Sequence, residues 1–311
     1  MSLLILGNKY KFDQLDIDRL MFKFQNIDFV KYRDRPSREV RKELESLLED
    51  KPYKYIVINT KASVDPKMIK YLTLLQFRLQ HKRIKIITIE RLLEKYLYKC
   101  YIPDDDRDLN FLSDIEPYNT IEYAMKRAID YFGCIVLFLI HIVIKPYVKK
   151  KIAQQSAGAL YFRQNRVGLN TKIFECLKFR TMHENSYHNP YTSKEDDRVF
   201  KFGNFMRQTR IDEIPQYKNI LCGDMHLIGP RTEWDILVKN YEKEIPYYNE
   251  RHIVRPGVTG WAQVNYPYGA NSYDAKQKLM YDLYYIKHWS LWLEIRTIVK
   301  TILVIFGKKG L

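Results

Sequence analysis

The sequence predicts an α/β protein in two parts: a small α/β domain, then an α-rich α+β domain that meets a membrane. Three observations carry that prediction. Over residues 1–100, short β-branched apolar runs alternate with charged helical stretches. Glycine belongs almost entirely to the rest of the chain; of 12 glycines, only Gly7 precedes Gly133. One strongly apolar segment, Tyr131–Ile144, is flanked by basic residues on both sides.

The first part spans residues 1–100. Leu3–Leu6, Tyr55–Ile58 and Ile84–Ile89 are short, β-branched and bounded by polar residues, which predicts buried strands. Arg38–Glu49 and Pro66–Gln80 are predicted as amphipathic helices, and the alternation predicts a parallel sheet. No Gly-x-Gly-x-x-Gly occurs, so the backbone lacks the usual pyrophosphate cradle. A regulatory, docking or scaffold role is expected ahead of nucleotide binding. Residues 101–118 carry an acidic cluster, two prolines and no periodic apolar face, as a linker does. Asn119, followed three residues later by Glu122, is a helix start opening the second part, 119–311.

As a helix, Tyr131–Ile144 would be about 21 Å long against a hydrocarbon core of about 30 Å. No run reaches the roughly 20 apolar residues that a spanning helix needs. Lys126 and Arg127 precede the segment, and Lys145, Lys149, Lys150 and Lys151 follow it. Basic loops stay on the cytoplasmic side, so both ends are expected there. Pro146 lacks an amide donor and kinks or ends a helix. Together these features predict a re-entrant helix over about 120–150 that dips into one leaflet and breaks at Lys145-Pro146. His141 is expected to be a satisfied polar group rather than a metal ligand. A second helix, about 288–306, carries Trp289 and Trp292 with Lys287, Arg296, Lys300, Lys308 and Lys309. It suits either the membrane interface or packing on the domain.

Composition narrows the function. A chain of 311 residues with 46% apolar content can bury a core, which excludes disorder. Lys+Arg 52 against Asp+Glu 37 gives +15, favouring nucleic acid, a phosphorylated substrate or anionic lipid. The four cysteines are scattered, without Cys-x-x-Cys, so they read as reduced cytoplasmic thiols rather than a disulfide scaffold or zinc site. The first residues lack the pattern of a signal peptide. No helix-turn-helix or aromatic RNA-binding signature accompanies the charge, so no nucleic-acid partner is expected.

The chemistry concentrates in RQTRIDEIPQ, Arg207–Gln216. Asp212 and Glu213 sit among Arg207 and Arg210, whose charge is expected to hold Asp212 ionised. Such a carboxylate can attack a phosphorus atom or hold Mg²⁺. Arg163, Arg166, Lys178, Arg180 and Arg231 add basic side chains around it, and arginine grips phosphate bidentately. There is no Gly-x-Ser-x-Gly, His-Glu-x-x-His or Gly-x-x-x-x-Gly-Lys-Ser/Thr, which excludes the usual serine hydrolase, zinc hydrolase and P-loop sites. His183 and His188 fall in a polar loop, Thr181–Asp197, read as surface or a mobile active-site loop.

Taken in order, KRAIDYFGCIVLFL, LYFRQNRVG, FECLKFRTM, GNFMRQTRIDEIPQYKNILCGDMHLIGPR, RPGVTGWAQVN and YDLYYIKHWSLWLEIRTIVKT resemble the bacterial sugar transferase family, the monotopic phosphoglycosyl transferases. The resemblance covers about residues 120–311. It is similar to the longer members that hand a hexose-1-phosphate to a lipid, and the first domain then resembles their Rossmann-like domain. The four-helix membrane bundle preceding it in many members is not expected here.

The resemblance implies a two-step reaction at the cytoplasmic face of the bacterial inner membrane. A UDP-sugar gives its sugar phosphate to the enzyme and UMP leaves; polyprenyl (undecaprenyl) phosphate then takes the sugar phosphate, the first membrane step of glycan assembly. It implies Asp212 as nucleophile, with Glu213 as its partner for Mg²⁺ or the acceptor. Arg207 is implied as the dyad's basic partner, Arg231 as a phosphate contact, and Lys178 and Arg180 as phosphate-facing. It also implies membrane lipids as partners and leaves self-association open. The intact dyad argues against a non-catalytic scaffold. Three positions depart from the family pattern: Lys145 where Ser-Pro is usual, the basic YVKKK after the break, and Thr232 where proline is common.

Overall fold

The computed structural model of the chain describes all residues except 1, 33, 61–64, 81–83, 104–114, 185–195, 268, 270 and 308–311. Most of the predicted linker, His188, Lys308 and Lys309 lie outside the described residues. The chain divides into two compact units, Met1–Tyr101 and Ile102–Leu311.

The first unit is an α/β layer. Strands β1 (Ser2–Leu6), β2 (Asn26–Val30), β3 (Tyr53–Ile58) and β4 (Lys85–Thr88) form a wholly parallel sheet in the order β2-β1-β3-β4. Helices α1 (Gln14–Met21), α2 (Ser37–Asp50) and α3 (Pro66–Gln80) connect them. Every residue of β1 is buried, which explains its unbroken apolar run. Strand β2 and helix α1 were not predicted: β2 is an edge strand with one fully buried residue, so its sequence lacks a strong pattern. The run 84–89 does not stay extended to its end. The Thr88 hydroxyl accepts from the Arg91 amide and starts α4 (Ile89–Leu92), so Ile89 is helical. Lys99 and Asp16, both buried, pair at 2.6 Å, and Lys99 also donates to Tyr10.

The second unit opens with α5, Thr120–Gln155, a helix of 36 residues. Asn119 accepts from the Glu122 amide while Glu122 accepts from the Asn119 amide, the predicted start. Two expectations about this helix need correction. It does not end at Lys145-Pro146; both residues are exposed within it, and Val148 and Ile152 beyond them pack on Phe179, Phe200 and Met206. That packing sustains the helix past the amide that proline lacks. Nor is it short. At 1.5 Å per residue it is about 54 Å long, and its most apolar 18-residue window has mean hydropathy 2.0. By length and composition it can cross a membrane.

The faces of α5 differ. Lys126, Asp130, Cys134, His141, Val148 and Ile152 form one buried stripe along the helix. Phe132, Ile135, Leu139, Val143 and Tyr147, on the other side, are 57–77% exposed. His141 meets Tyr161 Oη at 3.0 Å through Nε2, while its Nδ1 is buried without a hydrogen-bond partner among the described residues, so the expected satisfied polar group is found only in part.

A β-hairpin follows, β5 (Tyr161–Val167) with β6 (Ile173–Phe179). Then come α6 (Lys201–Gln208), a 3₁₀ turn (Ile211–Gln216), α7 (Tyr217–Cys222), β7 (His226–Ile228), α8 (Asp235–Glu244) and a 3₁₀ turn (Tyr248–Ile253). Strand β8 (Gly257–Thr259) pairs parallel with β7, and α9 (Trp261–Asn265), α10 (Ser272–Lys287) and α11 (Leu291–Phe306) complete the unit. Helix α11 turns its basic side inward. Arg296 and Lys300 lie over the buried Trp261 ring, while Trp292, Ile295, Val299, Leu303 and Phe306 are exposed. Buried Lys126 on α5 and Glu294 on α11 pair at 2.8 Å, and Tyr285 and Trp289 also donate to Glu294.

Candidate active site

The site is built on the turn between α6 and α7. Gly203 lets α6 approach the chain after β6, since a Cβ there would sit 2.2 Å from the Thr181 carbonyl oxygen. Arg207, on the last turn of α6, then donates from Nε to Thr181 Oγ1 at 3.0 Å. Arg210 adopts the left-handed conformation, φ 59° and ψ 15°, and redirects the chain into the 3₁₀ turn carrying the dyad. A non-glycine residue held there costs of order 1–3 kcal/mol, strain of the kind kept at functional sites.

Asp212 and Glu213 are 7% and 3% exposed, but their surroundings differ. Glu213 Oε1 accepts from Lys178 Nζ at 2.8 Å and Arg231 Nη2 at 2.9 Å, and Arg210 Nη1 lies 3.6 Å from Oε2. Burial pushes the Glu213 carboxyl up, but Arg231, Lys178 and Arg210 outweigh it and hold it well below the usual range. Glu213 is therefore a fixed anion, and its charge raises the Arg231 guanidinium further. Asp212 Oδ1 is buried without a hydrogen-bond partner among the described residues. Burial, then the Glu213 charge, pushes the Asp212 carboxyl upward against Lys178, Arg210 and Arg207. Arg210 and Arg207 favour the ionised form of Asp212, as expected, but burial and the Glu213 charge outweigh them in the direction of the shift.

Each cation has an identifiable support. Lys178 sits at the end of β6, and Asn219 on α7 binds that strand through Leu177 N at 3.1 Å and Glu175 O at 2.7 Å. Arg231 follows the Gly229-Pro230 turn, which abuts β8: the Gly257 amide donates to Pro230 O at 2.9 Å, and a Cβ on Gly257 would lie 2.0 Å from Gly229 N. Thr232 ties the same turn to β5, its hydroxyl donating to Val167 O at 2.9 Å.

The structure thus brings Asp212, Glu213, Lys178 and Arg231 together, with Arg210 beside them and Arg207 one helix turn behind. Arg180 does not join them. It is 5% exposed, and its guanidinium donates to the Ser156 and Ala159 carbonyls and the Ser156 hydroxyl, closing the end of α5. Lys145 and Pro146 lie exposed on α5 and take no part in these contacts. Sequence reasoning missed Asn219 and the buried Arg251–Asp282 pair, which no motif spacing marks. Among the described residues, no group of three or more His, Cys, Asp or Glu could by itself hold a metal. The orphaned Asp212 oxygen is a fitting Mg²⁺ donor if substrate phosphates supply other ligands, whereas Glu213 is already committed to cations.

A buried acid pair with one fixed anion and one carboxyl oxygen without a partner among the described residues, ringed by cations, can receive an anionic group. The family model for bacterial sugar transferases matches residues 121–308, and the chain belongs to that family. It is similar to a UDP-N-acetylgalactosamine-undecaprenyl-phosphate N-acetylgalactosaminephosphotransferase of Aeromonas hydrophila, at 42% identity over 188 residues, 60% of this chain and 44% of that protein. A UDP-glucose:undecaprenyl-phosphate glucose-1-phosphate transferase of Xanthomonas campestris is 42% identical over 163 residues, 51% of this chain and 34% of that protein. The Escherichia coli protein of the same description is 34% identical over 198 residues, 62% of this chain and 43% of that protein. The chain therefore spans less than half the length of these relatives.

Proposed function

We propose that the chain transfers a sugar-1-phosphate from a UDP-sugar to undecaprenyl phosphate, releasing UMP, through a covalent sugar phosphate on Asp212. The observation carrying this reading is the unsatisfied, buried Asp212 oxygen beside a Glu213 already neutralised by Lys178, Arg231 and Arg210. In the first step Asp212 attacks the β-phosphorus. The bond from that phosphorus to the bridging oxygen breaks, and UMP leaves with the oxygen. In the second, an oxygen of undecaprenyl phosphate attacks the same phosphorus and the Asp212 carboxylate is released. Splitting the transfer in two lowers each barrier. Arg231 and Lys178 lie where they can offset charge on the diphosphate while Glu213 fixes their positions. Mg²⁺, held by Asp212 and substrate phosphates, would neutralise part of that charge.

The acceptor's tail calls for a site beside lipid, and two features support one. Helices α5 and α11 both point their apolar sides outward, the reverse of packing in water. The buried stripe of α5 runs from Lys126 to Ile152, about 39 Å at 1.5 Å per residue. Domain elements line nearly its full length, so crossing the bilayer would carry them into hydrocarbon. This favours a re-entrant or interfacial helix, with the dyad on the cytoplasmic face of the inner membrane. The parallel order of the first unit's sheet suits the Rossmann-like reading of that domain. Release of UMP from a panel of UDP-sugars, with undecaprenyl phosphate and Mg²⁺, tests the proposal. Turnover with none of them refutes it.

A further inference from the structure

Behind Arg231 lies a second buried ion pair that touches neither carboxylate of the dyad. Arg251, in the Tyr248–Ile253 turn, and Asp282, on α10, meet at 2.8 Å with side chains 5% and 1% exposed. Arg251 Nη2 also donates to the backbone carbonyl of Arg231 at 2.7 Å, and its Nη1 donates to Tyr248 Oη at 2.7 Å. Arg231 in turn donates to Glu213 at 2.9 Å. A continuous line of contacts thus runs from α10 to the dyad: Asp282, Arg251, Arg231, Glu213.

Two observations say what this line is for. The Arg231 side chain is 33% exposed, so packing alone does not fix it. Apart from the ion pair, neither Asp282 oxygen has a hydrogen-bond partner among the described residues, so Arg251 is what that carboxylate serves. Burying such a pair is costly, and apolar side chains of similar volume commonly hold a core together as well. A charged pair kept at the back of a phosphate-binding turn gains a direction: it aims one carbonyl, and with it one turn.

We propose that Arg251 and Asp282 are positioning residues for Arg231, fixing its guanidinium where the donor's diphosphate meets the dyad. The inference rests on the functional reading above. Neither residue touches substrate; both act through the Arg231 turn, so their effect disappears when Arg231 can no longer make its contact.

A double-mutant cycle reads that dependence. Wild type, Asp282→Asn, Arg231→Lys and the double variant are compared in detergent for UDP affinity with Mg²⁺ by calorimetry, and for UMP release. Asp282→Asn is expected to weaken UDP about tenfold, with Asp282→Glu recovering most of it. In the Arg231→Lys background the same change is expected to cost less than about twofold. If Asp282→Asn fails to fold, Arg251→Lys takes its place in the cycle. Equal losses in both backgrounds, or no loss in either, overturn the proposal. Wild type that binds UDP but releases no UMP from any UDP-sugar overturns the functional reading while the UDP cycle still decides the positioning claim. Wild type that does not bind UDP overturns both.

Discussion

At the scale of the residue, Asp212 and Glu213 are neighbours in sequence with opposite electrostatic fates. Glu213 contributes stability that is complete above its ordinary value of 4.5 and is lost as pH falls through its depressed one. Glu213→Gln should therefore destabilise the protein at pH 7 by about 3–5 kcal/mol, the usual cost of removing one partner of a buried pair. Denaturant unfolding of both proteins across pH should show that gap closing only below pH 4.5. Asp212 shifts the other way. Its carboxyl is raised above 3.8, so it is neutral, and no nucleophile, over a wider acid range. UMP release should fall on acidification with a midpoint above that value, and a midpoint at or below it would contradict the burial argument. The dyad and its cations were legible as residue types in order, because they fall in blocks that resemble the family; any one of them alone reads as a solvated surface charge. How the charges divide was not legible. Arg180 shows why: alternation along a strand puts it on the same side as Lys178, but β6 ends at Phe179 and Arg180 turns away to α5.

At the scale of the element, α5 is held to the body at its first turns by buried charge and beyond them by apolar packing. Lys126 meets Glu294, and Asp130 meets both His226 Nδ1 at 2.5 Å and the Leu227 amide at 2.7 Å. Burial outweighs the Asp130 carboxylate and lowers His226 to about 4, so neutral imidazole is the form present near pH 7. Lys126→Ala leaves Glu294 buried without its cation, and a loss of about 3–5 kcal/mol is expected in denaturant unfolding. Lys126→Met with Glu294→Gln should lose less, because no charge is stranded; an equal loss would contradict the account. The helix start was readable from Asn119 and Glu122 because a capping box is local. Its continuity through Pro146 was not, because the turns after that residue are held by Phe179, Phe200 and Met206, far away in sequence.

At the scale of the whole molecule, the division into two units follows the composition. The parallel sheet was legible from its buried runs, while edge strand β2 was hidden by its exposure. The family match begins at residue 121, and the motif blocks all fall in the second unit. A protein starting at Asn119 is expected to keep UMP release; a folded but inactive truncation would show that the first unit contributes to the site. Topology has its own test. Single cysteines at positions 126 and 150, in a background lacking the native four, should differ in accessibility, and only position 150 reports the side. Lys150→Cys should react with an impermeant thiol reagent from the cytoplasmic side only, and labelling from the opposite side would make α5 a spanning helix. Lys126 is buried, so its cysteine is expected to label only after denaturation.

The most direct measurement of the central claim is the intact mass of the protein after incubation with a UDP-sugar and Mg²⁺ in the absence of undecaprenyl phosphate. Wild type should gain one sugar phosphate, located on the peptide carrying Asp212, and release one equivalent of UMP. Asp212→Asn should gain nothing. UMP release without an adduct, or an adduct that persists in Asp212→Asn, would contradict the assignment of Asp212 as the nucleophile.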